Sequence, residues 1–381
     1  MLASIVALAL VGFVATSASS NGPSGAATLP SSQPSSGSPA SIHDAGGAAA
    51  IGPSAPPASS TGSPPPSPDV ASSPPPLTGP TAHAGLFPGG ILIADRGNGR
   101  LLVVTSDHKV LWRFPATGSL PRGQAFAADD AFISPDGKSI VANDDTHDVV
   151  DRIDIATRRI VWQYGHYDAP SGRRGYLNGP DDAYPLANGD IVVADIGNCR
   201  IIEINPGKEV VRQWGRTGVC ADRAPFTYGS PNGDTPLPDG GLLITEIRGS
   251  RVVRLSAAGK VIFDIHVPVT YPSDAHLDAR GNVVVADYSS IGAVVSVTPR
   301  GRLVWRYRPL SGRGRLDHPS LAVPLPDGTV LINDDFRERV ILLDPRSGRI
   351  LWQFGVTDQR GTGLNHLHIP DGVDLAPVGI F

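Results

Sequence analysis

The chain carries IVVADIGNCRII at residues 191–202. Two apolar, β-branched runs flank an acid and a tight turn, and an Arg follows the turn. That alternation reads as a strand pair and not as a helix. The arrangement returns as ILIADRGNGRLLVV (91–104), SIVANDDTHDVVDRI (139–153), LLITEIRGSRVVRL (242–255), VVVADYSSIGAVVSV (283–297) and VLINDDFRERVILL (330–343). The acid ending the first strand is Asp95, Asp144, Asp195, Glu246, Asp287 and Asp334, at steps of 49, 51, 51, 41 and 47 residues. A period near 50 built from short strands is that of a propeller or an array.

Each copy has two further parts. Downstream lies a strand bearing an aromatic: KVLWRF, RIVWQYG, EVVRQWG, KVIFDI, RLVWRY and RILWQFG. Upstream lies a segment ending in Gly, usually led by Pro: PDDAYPLANG, PNGDTPLPDG, PSDAHLDARG, PSLAVPLPDG, and AADDAFISPDG without the Pro. Four strands per repeat make one blade. The first copy lacks a good upstream segment, and IPDGVDLAPVG (369–379) supplies one at the C-terminus. The reading is therefore an all-β, six-bladed propeller over residues 80–381, closed by its C-terminal strand, which removes open sheet edges. The Trp and Phe residues are expected between blades.

What precedes the repeats is different in kind. Residues 2–16 are an apolar run of signal-peptide length, with small residues near Ala18 suited to cleavage, although no Lys or Arg precedes Arg96. Residues 1–18 are read as a signal peptide or anchor. Residues 19–79, rich in Pro, Ser, Gly and Ala, are read as a disordered tether, because they offer too little apolar surface to offset ordering entropy. Together they predict a secreted or surface-tethered protein, touching a membrane only through an uncleaved N-terminal segment. Net charge is −4, which gives no basic signature of nucleic-acid binding.

The motif Pro-(x)n-Gly-x-[IV]-x-[VI]-A-D-x-x-N-x-R-[IV] resembles that of NHL-repeat propellers, and LNGPDDAYPLANGDIVVADIGNCRII (177–202) follows it nearly throughout. DPRSGRILWQFG (344–355) is also similar to the Trp-bearing repeat of quinoprotein-type propellers. The resemblance implies the six-bladed architecture. It also implies two activities: Ca²⁺ in the channel, as in some six-bladed enzymes, and His-borne metal chemistry, as in amidating lyases. In those lyases a His follows the blade Pro; here that place holds Asp181, Asn232, Ser273, Ser320 or Asp371.

Six aligned acids suggest a repeated structural role, in which each accepts N–H groups of the turn or pairs with an Arg. Cys199, in the third turn, and Cys220, in the loop leaving the same blade, lie on one face and are the two cysteines of the chain. A disulfide is expected in an oxidising compartment, with two buried thiols or a metal pair as alternatives.

The channel mouth on that face is the expected site. Alternation places Asp130/Phe132, Asp182/Tyr184, Gly233/Thr235, Asp274/His276, Leu321/Val323 and Gly372/Asp374 on one side of each inner strand. This column changes from blade to blade, whereas the turn acids do not. Asp130, Asp182, Asp274 and Asp374 are candidate Ca²⁺ ligands, against the alternative of a solvated acidic mouth. His276, His318, His366 and His368 are an alternative transition-metal set. Asp274 and His276 are the candidate acid/base pair. Tyr184 with Arg173, Arg174, Arg313 and Arg315 is expected to line the mouth and hold a ligand. Two functions follow: binding of a protein, glycan or small molecule at the mouth, or a divalent-cation-dependent hydrolase or lyase in the channel.

Overall fold

The computed structural model describes residues 86–381; the leader and tether expected over 1–18 and 19–79 lie outside the described residues. Six four-stranded antiparallel sheets follow one another as blades. From inner to outer strand, blade one is Pro370–Leu375, Ile91–Asp95, Arg100–Val104 and Val110–Phe114. Blade two is Ala131–Ile133, Ser139–Asp144, Val149–Asp154 and Arg159–Gly165. Blade three is Pro180–Pro185, Ile191–Asp195, Arg200–Ile204 and Val210–Gly215. Blade four is Pro231–Pro236, Leu242–Glu246, Arg251–Leu255 and Val261–His266. Blade five is Pro272–Leu277, Val283–Asp287, Ala293–Val297 and Leu303–Tyr307, and blade six is Ala322–Pro324, Val330–Asp334, Arg339–Asp344 and Arg349–Phe354. No described segment is an α-helix. The ring closes as the sequence predicts: Ile91 pairs with Leu375 and Ile93 with Val373.

The core lies between blades and not within them, since one sheet cannot cover its own two faces. Each interface has its own apolar cluster. Leu92, Leu101 and Val103 of blade one meet Ile140, Ala142 and Ile153 of blade two, and equivalent clusters fill the other five interfaces. The outer-strand tryptophans add directional links. Trp112 donates its indole N–H to Ile155 O (2.9 Å) of blade two, and Trp162 donates to Pro206 O (3.0 Å) of blade three. Trp352 donates to Ser106 O (2.8 Å), tying blade six to blade one. Burying the ring while satisfying its N–H is what makes Trp the suitable residue here.

One irregularity positions the site. In blades one, three, four and five the pairing skips just after the blade Pro, so Pro180 faces Asp195 while Asp182 faces Ala194. Such bulges re-aim side chains. In blade one the residue after the Pro, Asp371, reaches Arg96 across 2.8 Å.

Candidate binding site at the axial mouth

The turn acids play the structural role expected of them. Asp195 is fully buried; its Oδ1 accepts the N–H of Asn178 (2.8 Å), and its Oδ2 accepts Asn198 Nδ2 (2.8 Å) and Arg200 Nε (2.7 Å). The N–H lies 17 residues upstream, in the loop that enters the blade. The same 17-residue reach recurs from Asp144 to Ala127, Glu246 to Gly229, Asp287 to Thr270 and Asp334 to Asp317. Asp95 holds His368 N–H in this way (2.7 Å), across the closure. Arg100 and Arg339 repeat the Arg200 contact on Asp95 (2.5 Å) and Asp334 (2.8 Å). The turn itself needs a left-handed residue. Gly99 provides it in blade one (φ 59°), and Cys199 adopts it in blade three (φ 55°) while its sulfur joins Cys220 in a disulfide.

Polar side chains of the inner strands and the adjoining turns form two groups, an upper and a lower tier. The upper tier is centred on Arg96, the residue after the blade-one acid. Its guanidinium donates to Asp129, Asp371 (2.8 Å), Asp145 (2.6 Å) and Thr146 (3.3 Å). Burial works against its charge, but Asp129, Asp145 and Asp371 more than offset this and keep it protonated. Burial also opposes ionisation of Asp371. Arg96 and hydrogen bonds from Asp129 and Asp335 outweigh that and hold Asp371 below the ordinary carboxylate range. Asp129, Asp181 and Asp335 go the other way. Burial pushes each well up, and neighbouring carboxylates add repulsion: Asp371 acts on Asp129 and Asp335, and Asp145 acts on Asp181. Ser320 braces the tier by donating to Asp371 O (2.7 Å).

The lower tier brings together much of the column read from the sequence. Tyr184 donates to Asp274 Oδ2 (3.0 Å) and lies 3.3 Å from His276 Nε2. Thr235 contacts Asp274 Oδ1 (3.0 Å) and donates to Ala275 O (2.7 Å). Phe132 stacks on Tyr184 with centroids 3.7 Å apart. Asp182 accepts the Asp234 N–H (3.3 Å). Burial pushes Asp130, Asp182 and Asp234 well up; Asp274 reinforces the shift in Asp182 and Asp234, while Asp371 and then Asp274 reinforce it in Asp130. Burial pulls His276 below its ordinary value against the attraction of Asp274, so the imidazole is neutral at pH 7. Asp274 and His276 are neighbours, with 3.8 Å between Oδ2 and Nδ1, and Tyr184 stands between them as the hydrogen-bonded link.

Other predicted residues stand apart from this group. Asp374 is a brace: its oxygens accept the N–H groups of Ile133 (2.8 Å) and Leu375 (2.7 Å), and burial pushes it up to about 6. The late histidines do not converge. His318 pairs with Asp317 (2.7 Å), His366 faces Leu364 O (3.0 Å) and His368 faces Glu338 (3.3 Å). His366 and His368, two residues apart, do not share a strand side. They lie in a loop where Asn365 and Ile369 take positive φ, so a spacing of two confers no common side. Among the described residues no group of three or more His, Cys, Asp or Glu is arranged to hold a metal ion. Arg173, Arg174 and Arg313 are exposed, and Arg315 pairs with Asp317 (2.5 Å). The cation at the centre of the upper tier is Arg96, which the sequence reading passes over. A usable signal is present: the residue after each blade acid is Arg96, Asp145, Ile196, Ile247, Tyr288 or Asp335, as variable as the axial column.

Residues 147–368 match the PQQ_2 family, described as outer membrane protein assembly factor BamB. The chain belongs to that family. No curated protein matches it. Among solved structures it is similar to a protein of unknown function from Bacteroides caccae, at 17% identity over 75% of this chain and 98% of that one, TM-score 0.55. A chain of the nidogen/laminin complex is 14% identical over 76% of this chain and 98% of its own, TM-score 0.51. Virginiamycin B lyase from Staphylococcus aureus is 16% identical over 63% and 72%, TM-score 0.43. At these identities the likeness is one of fold. The BamB-type match covers blades that the turn motif likens to NHL repeats, so the family rests on the match and the NHL pattern remains a resemblance of the turn.

Proposed function

We propose that this family member is an exported binding module that takes a small-molecule ligand at the axial mouth. One observation carries the reading. Asp234 is 0% exposed, and neither of its carboxylate oxygens has a hydrogen-bond partner, in a tier whose other acids are Asp130, Asp182 and Asp274. Burying such a group without a partner is costly, and folds retain that cost at functional sites. The divergence of the axial residues against the constancy of the turn acids supports the same place. The Cys199–Cys220 disulfide supports export, since such bonds persist in oxidising compartments.

The test is a thermal-shift panel of neutral, anionic and cationic small molecules on the full chain, repeated on Asp181→Asn. Burial already holds Asp181 toward its protonated form, so the amide changes the fold little and the mouth directly. A ligand that raises the melting temperature of the wild type is expected to lose at least about tenfold in affinity on Asp181→Asn, with the unliganded melting temperature kept. Ligands that bind both proteins equally would place the site elsewhere and overturn the reading.

A further inference from the structure

Resting on the mouth-binding reading, we infer that the lower tier receives the ammonium group of a small organic amine. The tier is short of donors and of positive charge at once. Asp234 stands at the inner-strand position that the other blades fill with Ala131, Ala183, Ala275, Ala322 and Val373. Both of its oxygens, one oxygen of Asp130 and Nδ1 of His276 are buried without a hydrogen-bond partner. Two glycines let carboxylates stand against bare backbone. A Cβ at Gly233 would lie 2.5 Å from Asp274 Oδ1, and one at Gly372 would lie 2.8 Å from Asp130 Oδ1. Arg96 is committed to Asp129, Asp145 and Asp371 in the upper tier.

The chemistry of the missing partner follows from the kind of acceptors and their arrangement. A metal ion needs several ligands converging on one point at about 2.0–2.6 Å, and no such group of three exists among the described residues. An ammonium supplies one positive charge and three separate N–H donors, which reach acceptors at about 2.8 Å in different directions. The stacked pair of Phe132 and Tyr184, joined to Asp274 through the Tyr184 hydroxyl, adds an aromatic surface suited to the alkyl stem and to the charge.

The experiment is calorimetric titration of the full chain with n-butylammonium, n-butanol and Ca²⁺, on the wild type, Asp234→Asn and Asp130→Asn. The amine is expected to bind the wild type, and the alcohol at least about tenfold more weakly. Each Asn variant should lose at least about tenfold in amine affinity while melting no lower than the wild type. Equal binding of amine and alcohol, or unchanged amine binding by both variants, overturns the inference. So does Ca²⁺ binding that depends on Asp234 while the amine fails, which would make the tier a metal site. If neither amine nor Ca²⁺ binds, the ammonium inference falls. The mouth reading then stands or falls separately on the neutral and anionic ligands tested against Asp181→Asn.

Discussion

The Tyr184 hydroxyl donates to Asp274 across 3.0 Å, joining blade three to blade five past blade four. A hydrogen bond to a carboxylate in buried surroundings contributes roughly 1.5–3 kcal/mol. Tyr184→Phe is therefore expected to lower unfolding free energy by about 2 kcal/mol in chemical denaturation while leaving the stacking on Phe132 intact. A loss indistinguishable from zero would show that the two blades are held at the axis by packing alone.

The blade arginines separate two situations that look alike in the sequence. Arg200 bridges Asp195, Thr217 and Tyr176 O and is buried. Its counterpart in blade four, Arg251, turns instead to Asp264 (Nε to Oδ1, 2.9 Å) near the surface, and Glu246 is left to hold the Gly229 and Ser230 N–H groups. Arg200→Met strands a buried carboxylate and should cost about 3–5 kcal/mol. Arg251→Met should cost less, about 1–2 kcal/mol, because Asp264 keeps 34% of its side chain exposed and can be hydrated once the Arg is gone. Equal losses in denaturant midpoints would contradict the assignment of Arg200 as the blade's internal tie.

Stability should fall as pH rises from about 4 to about 7. Burial pushes Asp151 up to about 7 against the hydrogen bond from Gln163, and Glu246 up to about 7 against the N–H groups of Ser230 and Gly229. The folded state therefore keeps protons that the unfolded chain releases near pH ~4. Their stabilising effect is complete below that pH and is lost progressively up to about pH 7. For Asp151 the difference is on the order of 4 kcal/mol. Melting temperatures should be higher at pH ~5 than at pH ~8, and Asp151→Asn should flatten that slope. A slope unchanged in the variant would mean that Asp151 does not titrate differently on folding.

Reduction of the disulfide tests the face-spanning loop. Cys199 and Cys220 are 21 residues apart, and a cross-link of that span contributes roughly 3 kcal/mol through the unfolded chain. Dithiothreitol, or Cys199→Ala with Cys220→Ala, should lower the melting temperature by several degrees. No change would make the bond dispensable to the blade.

The architecture is legible because its signals are local and repeated. The strand–acid–turn–Arg unit and the Trp-bearing strand each occur in enough copies to fix blade number and closure. The site is legible only in part. Strict alternation finds Asp182, Tyr184, Asp274 and His276, but the bulge after the blade Pro turns Asp181 and Asp371 inward as well, and alternation cannot register a bulge. Alternation also assigns Asp234 to a packing position, although an Asp where other blades carry Ala is itself a clue. Of the loop arginines, Arg173, Arg174 and Arg313 remain exposed and Arg315 pairs with a local acid, Asp317, the ordinary fates of long charged side chains on a loop.

The most direct test of an axial site is diffraction from crystals of the protein soaked with 2-bromoethylammonium, with the bromine located by its anomalous signal. One ordered bromine is expected on the propeller axis, with the ammonium within hydrogen-bond reach of Asp234 and its neighbours Asp182 or Asp274. A bromine ordered only on the outer strands, or none in wild-type crystals at saturating amine, would contradict it.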